Sequence, residues 1–424
     1  VLFGLIPALQ ATRPNLVTTL KDQAGSIASG AGTRMRKVLV AGQLALSLLL
    51  VAGAGLFTAS LINMLNLNLG YRTQRLMAFG VNATLTRPNA PETIAFYQDL
   101  EQRLTAIPGV TGVAAAAAGG PFSGSTRGGN ITVEGYPAKP NEYTGATQIG
   151  VSAGYFRAMG VPLRAGREFT GHDAAGAPKV VVVNQAFVKR YLSDRDPIGQ
   201  RMMYGNSDHP KFDLEIVGVA ADSRVDIRKA AKETIYYPYA QSGQADRATF
   251  YVRYAGDETQ VASAIRSTVR AADANIPLAE TKTVDLRIRE VLYTERLIAV
   301  LSNAFGALAT LLAAIGLYGV VAFAVTRRTS EIGIRMALGA VPSDVLGMVL
   351  KEAGGVAAAG IGLGLAGAVV LSRLVQTELF GITGADPAVL AASAGILAVV
   401  ALLAALVPGW RASRIDPVRA LKYE

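Results

Sequence analysis

Leu297–Thr326, LIAVLSNAFGALATLLAAIGLYGVVAFAVT, runs for thirty residues without an Asp, Glu, Lys or Arg. About 20 apolar residues carry a helix across a hydrocarbon core about 30 Å thick. This stretch therefore reads as a membrane span. Working outward from it, three more uncharged segments reach that length: Val38–Gly70, Ala353–Ser372 and Pro387–Trp410. No other stretch is both as long and as apolar. The expected fold is an integral membrane α-helical protein with four transmembrane helices, at 38–62, 297–326, 353–373 and 387–410. About 230 residues, 63–295, separate the first two. Composition agrees, with 51% hydrophobic and only 17% charged residues.

The formal net charge of +10 invites a nucleic-acid reading, but no basic face is interleaved with aromatics. The positive charges instead gather at the span ends: Arg34, Arg36 and Lys37 before the first, Arg327, Arg328 and Lys351 around the link between the second and third, and Arg411, Arg414, Arg419 and Lys422 after the fourth. By the positive-inside rule these three regions are cytoplasmic. The short link 374–386 carries no Lys or Arg and belongs outside, with Arg373 snorkelling at its edge. Four spans then leave 63–295 outside and both flanking segments, including the tail 411–424, inside.

The external segment is punctuated as a mixed α/β domain. Strands are expected at 76–84, 180–183, 214–220, 235–239 and 249–254, and helices at 91–106 and 259–272. A short helix carrying Tyr155, Phe156 and Met159 stops at Gly160. Asn184 is placed to cap a helix in which Phe187 and Tyr191 fall one turn apart. Asp196 to Gly199 reads as a turn, and Gly119-Gly120 and Gly128-Gly129 as loop glycines.

Catalytic signals are missing. There is no cysteine, and the two histidines, His172 and His209, lie in polar loops without metal-ligand spacing. The chain has no Gly-x-Ser-x-Gly elbow and no Gly-Lys pair, so a Walker phosphate loop is excluded. No catalytic residue, metal site or cofactor is expected, and ATP hydrolysis would fall to a partner. No span carries an ionisable residue in its middle, which argues against a proton or ion relay.

The chain's two ends resemble each other. Leu5–Lys21 (LIPALQATRPNLVTTLK) and Leu406–Lys422 (LVPGWRASRIDPVRALK) share seven of seventeen residues without a gap. Residues 1–21 are therefore expected to be the tail of a preceding repeat of the same unit, and 22–37 a cytoplasmic linker. A short amphipathic helix on the inner leaflet is the alternative. The chain would then be a fragment starting inside an earlier copy.

Between the second and third spans, 327–350, runs RRTSEIGIRMALGAVPSDVLGMVL. Ile332, Met336 and Leu338 are apolar, and Glu331 and Arg335 sit four apart, which describes a short amphipathic helix at the cytoplasmic surface. Gly339 ends it and Ser343 is expected to cap the next helix. A membrane-surface helix and a helix offered to a cytoplasmic partner both fit. Gly360, Gly364 and Ala368 have the spacing of close helix packing.

At these residues the chain resembles the MacB/FtsX-like permeases of ABC transporters. SEIGIRMALGA resembles their coupling segment. YFRAMGVPLRAGREFT, VVVVNQAFVKRYL, DPIGQRM and EIVGVAADSR resemble, in order, the MacB-type α/β periplasmic core domain inserted between the first two spans, and RASRIDPVRALKYE resembles the tail. The likeness is greatest to duplicated, acidobacterial-type orphan permeases, of which this chain would be the C-terminal unit. It implies a bacterial inner-membrane, multi-pass permease subunit of an export or mechanotransmission system. The implied partners are a cytoplasmic ABC ATPase, a second permease unit (a fused repeat or a second copy), and a periplasmic partner or exported substrate. By position, Glu331, Ile332, Gly333, Arg335, Ala337 and Gly339 would form the ATPase contact. Relatives often carry a basic run where this chain has Val341-Pro342. That departure favours the alternative, an ATPase-independent membrane scaffold or regulator of a periplasmic partner.

Overall fold

The computed structural model describes residues 30–117, 120–121, 127–139, 142–207, 209–243, 247–278 and 281–414. The expected repeat tail 1–21, residues 22–29 of the linker, Gly119 and residues 415–424 lie outside the described residues. The chain divides into a helical unit, Val1–Asn63 with Thr294–Glu424, and an α/β unit, Met64–Tyr293.

In chain order the elements are α1 (Gly30–Leu65), β1 (Leu76–Val81), α2 (Ala90–Thr105), β2 (Val110–Ala117), β3 (Arg127–Val133), β4 (Gly145–Val151), α3 (Tyr155–Met159), β5 (Leu163–Gly166), β6 (Val180–Asn184) and α4 (Gln185–Tyr191). There follow β7 (Arg201–Tyr204), β8 (Leu214–Ala220), β9 (Thr234–Pro238), β10 (Ala248–Tyr254), α5 (Glu258–Ala272), β11 (Lys282–Thr283), α6 (Val284–Val291), α7 (Tyr293–Arg327), α8 (Thr329–Ala337), α9 (Pro342–Val375) and α10 (Pro387–Ala412).

Four helices are long and apolar enough to cross a membrane: Arg34–Leu65 of α1, and α7, α9 and α10. All four run past the expected spans, α10 by only two residues; a helix of 34 residues extends about 50 Å, well past the hydrocarbon core. All four helices contribute to one cluster, with Leu44, Leu317, Val349 and Ala405 among its members. Small residues bring α9 against α1. A Cβ on Gly360 would lie 2.8 Å from the Ala41 carbonyl oxygen, and one on Gly364 would lie 2.9 Å from that of Ala45. Ala368 continues the stripe and is buried with Ala52 and Leu390. Polar side chains join α1 to α7. Ser47 Oγ donates to the Ala309 carbonyl at 2.9 Å and Asn303 Nδ2 to Thr58 Oγ1 at 2.8 Å.

The start of α9 corrects one expectation. Ser343 is not its cap: the helix begins at Pro342, with Val341 extended before it, and the Asp344 carboxylate accepts the Val341 N–H at 3.3 Å. Proline suits the first helical position because its missing N–H would have no partner there, and it pushes the preceding residue out of the helical region.

The α/β unit has two lobes. In the first, β11-β1-β10-β2 form an antiparallel sheet backed by α2 and α5, whose core holds Phe79, Tyr97, Leu100, Phe250 and Ile265. In the second, β9 pairs with both β6 and β4, so the strands β4-β3-β7-β8-β6-β9 close on themselves and β5 hangs on β8. Its core gathers Val181, Val183, Phe187, Tyr191, Ile216 and Ile235. Closure removes the exposed edges that a small sheet would otherwise present.

Several expectations are met locally. Asn184 Oδ1 accepts the Phe187 N–H at 3.0 Å, and the Phe187 and Tyr191 rings lie 4.8 Å apart. Gly160 ends α3 at φ +72°. Others are not. The first strand stops at Val81 and a single 3-10 turn, Ala83–Leu85, follows. Gly128 and Gly129 are not loop glycines: they pair with Thr147 and Ala146 in β3, where cross-strand hydrogen bonds outweigh glycine's weak strand preference.

Candidate functional site: the helix between the second and third spans

α8 is one short helix with two unlike faces. Ile332 and Gly333 are buried, and Ile332 packs against Val345 and Ala412 with Met336 and Met348 at the edge. Glu331, Ile334, Arg335, Ala337, Leu338 and Gly339 are exposed. The six residues singled out by resemblance are thus divided, four on the open face and two beneath it. Leu338, expected on the apolar face, is 83% exposed, because the helix ends at Ala337 and the chain turns away. Gly339 makes that turn at φ +99°, a backbone conformation that suits glycine.

The expected Glu331–Arg335 pair is not formed. Arg335 Nη1 reaches back to Met348 Sδ at 3.3 Å, and Glu331 has no ion-pair partner among the described residues. The open face thus carries a free carboxylate beside the apolar Ile334 and Leu338. A charged rim around apolar anchors is the composition of a docking surface.

What ties α8 to the spans was not legible in the link itself. Arg328, between α7 and α8, places Nη1 2.8 Å from Glu352 Oε2 on α9, and Lys37 Nζ on α1 lies 2.5 Å from Glu352 Oε1. One carboxylate therefore joins three chain segments at the entry to α8. Its side chain is 29% exposed, and Val321, Val325, Ile332 and Met348 border it. In that setting a two-cation clamp holds more firmly than a surface pair. Glu352 missed notice because it closes the polar stretch before the third span and its partner Lys37 is 315 residues away. A lone carboxylate at the foot of an apolar helix was the available signal.

Other basic residues at these helix ends rest on aromatic rings. The Arg36 guanidinium lies 4.0 Å from the Phe323 ring centroid, and that of Arg414 lies 4.0 Å from Trp410. Among the described residues no group of His, Cys, Asp or Glu side chains could hold a metal ion. His172 and His209 are exposed.

Comparison with known proteins matches two family models in succession along the chain. The model of the MacB-like periplasmic core domain matches residues 39–272, and that of the FtsX-like permease C-terminal segment matches residues 303–417. A macrolide export ATP-binding/permease protein MacB of Wolinella succinogenes is 26% identical over 400 residues, covering 89% of this chain and 58% of that protein. MacB 2 of Aeromonas hydrophila is 26% identical over 304 residues, covering 67% of this chain and 44% of its own. The periplasmic region of MacB from Actinobacillus actinomycetemcomitans, a solved structure, aligns over 54% of this chain and 97% of its own, at 14% identity and a TM-score of 0.36. The chain spans about half the length of the curated relatives it matches. With a match to the MacB-like periplasmic core domain over its first long helix and most of the α/β unit, and an FtsX-like segment after it, the chain belongs to the MacB/FtsX-like family of ABC transporter permeases.

Proposed function

We propose that this chain is the permease subunit of an ABC-type export or mechanotransmission system, and that α8 is the surface its ATPase grips. The observation that carries the reading is the Glu352 clamp, which binds the entry of α8 to α1 and α9 through Arg328 and Lys37. A displacement of α8 by a nucleotide-driven partner passes directly into two spans. Glu331, Arg335, Ala337 and Gly339 form the contact, joined by Ile334 and Leu338, while Ile332 and Gly333 support it from beneath. The export ATP-binding/permease names of the relatives support the reading. The charge distribution supports an orientation with α8 and both flanking segments cytoplasmic and the α/β unit periplasmic. A second permease unit completes the assembly, and the periplasmic domain acts on an exported substrate or an outside partner. Val341-Pro342 opens α9 and so has a structural role of its own.

The test is to tag the protein in its native membrane, extract it gently and identify what accompanies it by mass spectrometry. A stoichiometric ATPase is expected, reduced about tenfold by Glu331→Lys as a charged contact of about 1.4 kcal/mol is lost. Glu331 is exposed, so the variant leaves folding intact. Recovery of periplasmic proteins alone would remove the coupling reading. A reporter active only outside, fused after Gly205, should be active, and one fused after Gly339 silent.

A further inference from the structure

The α/β unit contains a cleft of about 910 Å³ that coupling to an ATPase does not use. It lies where α2 and β2 of the first lobe meet the β4–α3 turn and the 169–174 loop of the second. Its volume is that of a small-molecule site. Gln98, Glu101, Gln102 and Thr105 of α2 line one wall at helical spacing. Glu101 Oε1 is buried and has no hydrogen-bond partner. Buried polar atoms are nearly always bonded, so one left open in a cleft calls for an explanation. The neighbouring Ser152 hydroxyl accepts the Ala115 N–H at 2.9 Å and keeps its own proton for the Glu101 carboxyl, which leaves Oε1 as the oxygen without a partner. Burial pushes the Glu101 carboxyl up to about 8, with Ser152 offsetting part of the shift. At neutral pH it is a protonated acid, able to donate as well as accept.

Facing α2, the charges not neutralised by a partner of opposite sign are two cations, Arg157 and Arg253. Arg157 is exposed; its backbone N–H donates to Glu168 at 3.2 Å, and its guanidinium has no ion-pair partner among the described residues. Arg253 donates to the carbonyls of Ala158, Gln74 and Arg72 at 2.8, 3.0 and 2.8 Å, which fixes its guanidinium by one hydrogen on each nitrogen and leaves its charge without a carboxylate. Asp173, the other lining acid, is held by Arg167 at 2.8 and 2.9 Å. A rigid frame supports this wall: Tyr155 and Phe156, just before Arg157, contact Tyr251 of the first lobe and Tyr236 of the second.

We infer that this cleft binds the anionic group, carboxylate or phosphate, of a small polar ligand, with Arg157 as its ion-pair partner and the free oxygen of Glu101 as its hydrogen-bond partner. A cationic ligand would meet two guanidinium charges, and an apolar one would leave Glu101 unsatisfied. The inference goes beyond the coupling role and does not depend on it.

The chain has no cysteine, so Gln102→Cys, exposed on α2, gives a single labelling site for an environment-sensitive fluorophore on the full chain in nanodiscs. The probes are acetyl-Gly-Ser-Gly with a free carboxylate, the same peptide as its C-terminal amide, glycerol 3-phosphate and spermidine, with no ATP or ATPase present. A saturable response to one or both anions is expected, and the tighter of the two identifies the carboxylate or phosphate source. Arg157→Glu should weaken it about tenfold or more, Glu101→Leu several-fold, and Glu101→Gln hardly at all. Arg164→Glu, an exposed charge reversal outside the cleft lining, should leave it unchanged. Melting curves confirm that each variant is folded. No saturable anion response, tighter binding of spermidine or the amide, or equal losses in Arg157→Glu and Arg164→Glu would overturn the inference.

Discussion

The helical unit and the α/β unit are held together by opposite means. In the helical unit small residues face one another, as Gly360 and Gly364 face Ala41 and Ala45, and the stabilisation comes from backbones lying close. In the α/β unit large rings interlock: Phe250 stacks on Phe79 at 5.6 Å and meets Tyr97 edge-on at 5.8 Å. The solvents differ. Lipid offers helices no hydrophobic drive to associate, so close contact must supply it, whereas in water the burial of large apolar area is itself the drive. The two units also treat a half-hidden carboxylate differently. Glu352 is clamped by two cations, while Glu101 leaves an oxygen open.

The largest effect should come from Gly364→Leu. Its side chain would enter the space of Leu48 and the Ala45 carbonyl, forcing α1 and α9 apart, and detergent extraction should yield no monodisperse protein. Gly362→Leu, on the same helix but with open space around it, should extract as the parent does. Equal damage from both would break the comparison. Next in size is Phe250→Ala, which should destabilise the α/β unit by about 3–5 kcal/mol, read as early loss of near-UV dichroism while extraction remains normal.

The same contrast explains what the sequence disclosed. Spans were plain because an uncharged run in a helix has one reading, and Asn184, Gly160 and Gly339 announce their caps and stops by residue type. β2, VTGVAAAA, passed unnoticed because alanine prefers helix. It is a strand because β10 pairs with its whole length, and that pairing is set by residues more than a hundred positions away. The closure of the second lobe is likewise a matter of long-range register, β4 against β9. At α8 the motif located the helix but not which side of it faces out. The clamp depended on Lys37, which only the packing of α1 beside α9 brings to Glu352.

Glu352→Leu tests whether that clamp is structural glue or a transmission joint. It leaves Lys37 and Arg328 without their shared partner and should cost about 1–3 kcal/mol, discounted for partial exposure. The helical unit should still extract. ATPase co-purification should persist through the open face of α8, while nucleotide-dependent change in the spans, followed by a spin-label pair on α1 and α9, should disappear. Loss of the ATPase as well would show that the clamp shapes the docking face itself and does not merely transmit from it.

The smallest effect concerns Glu101, and its sign follows from the direction of the shift. Burial raises its folded pKa from 4.5 to about 8, so the folded chain keeps a proton that the unfolded chain has released above about 4.5. Stability is therefore greatest below that value, falls as pH rises through the window to about 8, and is flat beyond. Asp173 and Asp273, whose carboxyls are held low by Arg167 and Arg87, change sign of effect only at lower pH, where their stabilisation is lost as pH falls. Between pH 5 and 8.5 they contribute no slope. The α/β unit should melt at a lower temperature at pH 8.5 than at pH 5, followed by tyrosine near-UV dichroism, and Glu101→Gln should remove that difference. A saturating anionic ligand in the cleft, by accepting the proton's hydrogen bond, should enlarge the difference, because it favours the protonated acid in the folded state alone. If Glu101→Gln retains the full slope, another group carries it, and the contrast between a clamped and an open carboxylate loses its second half.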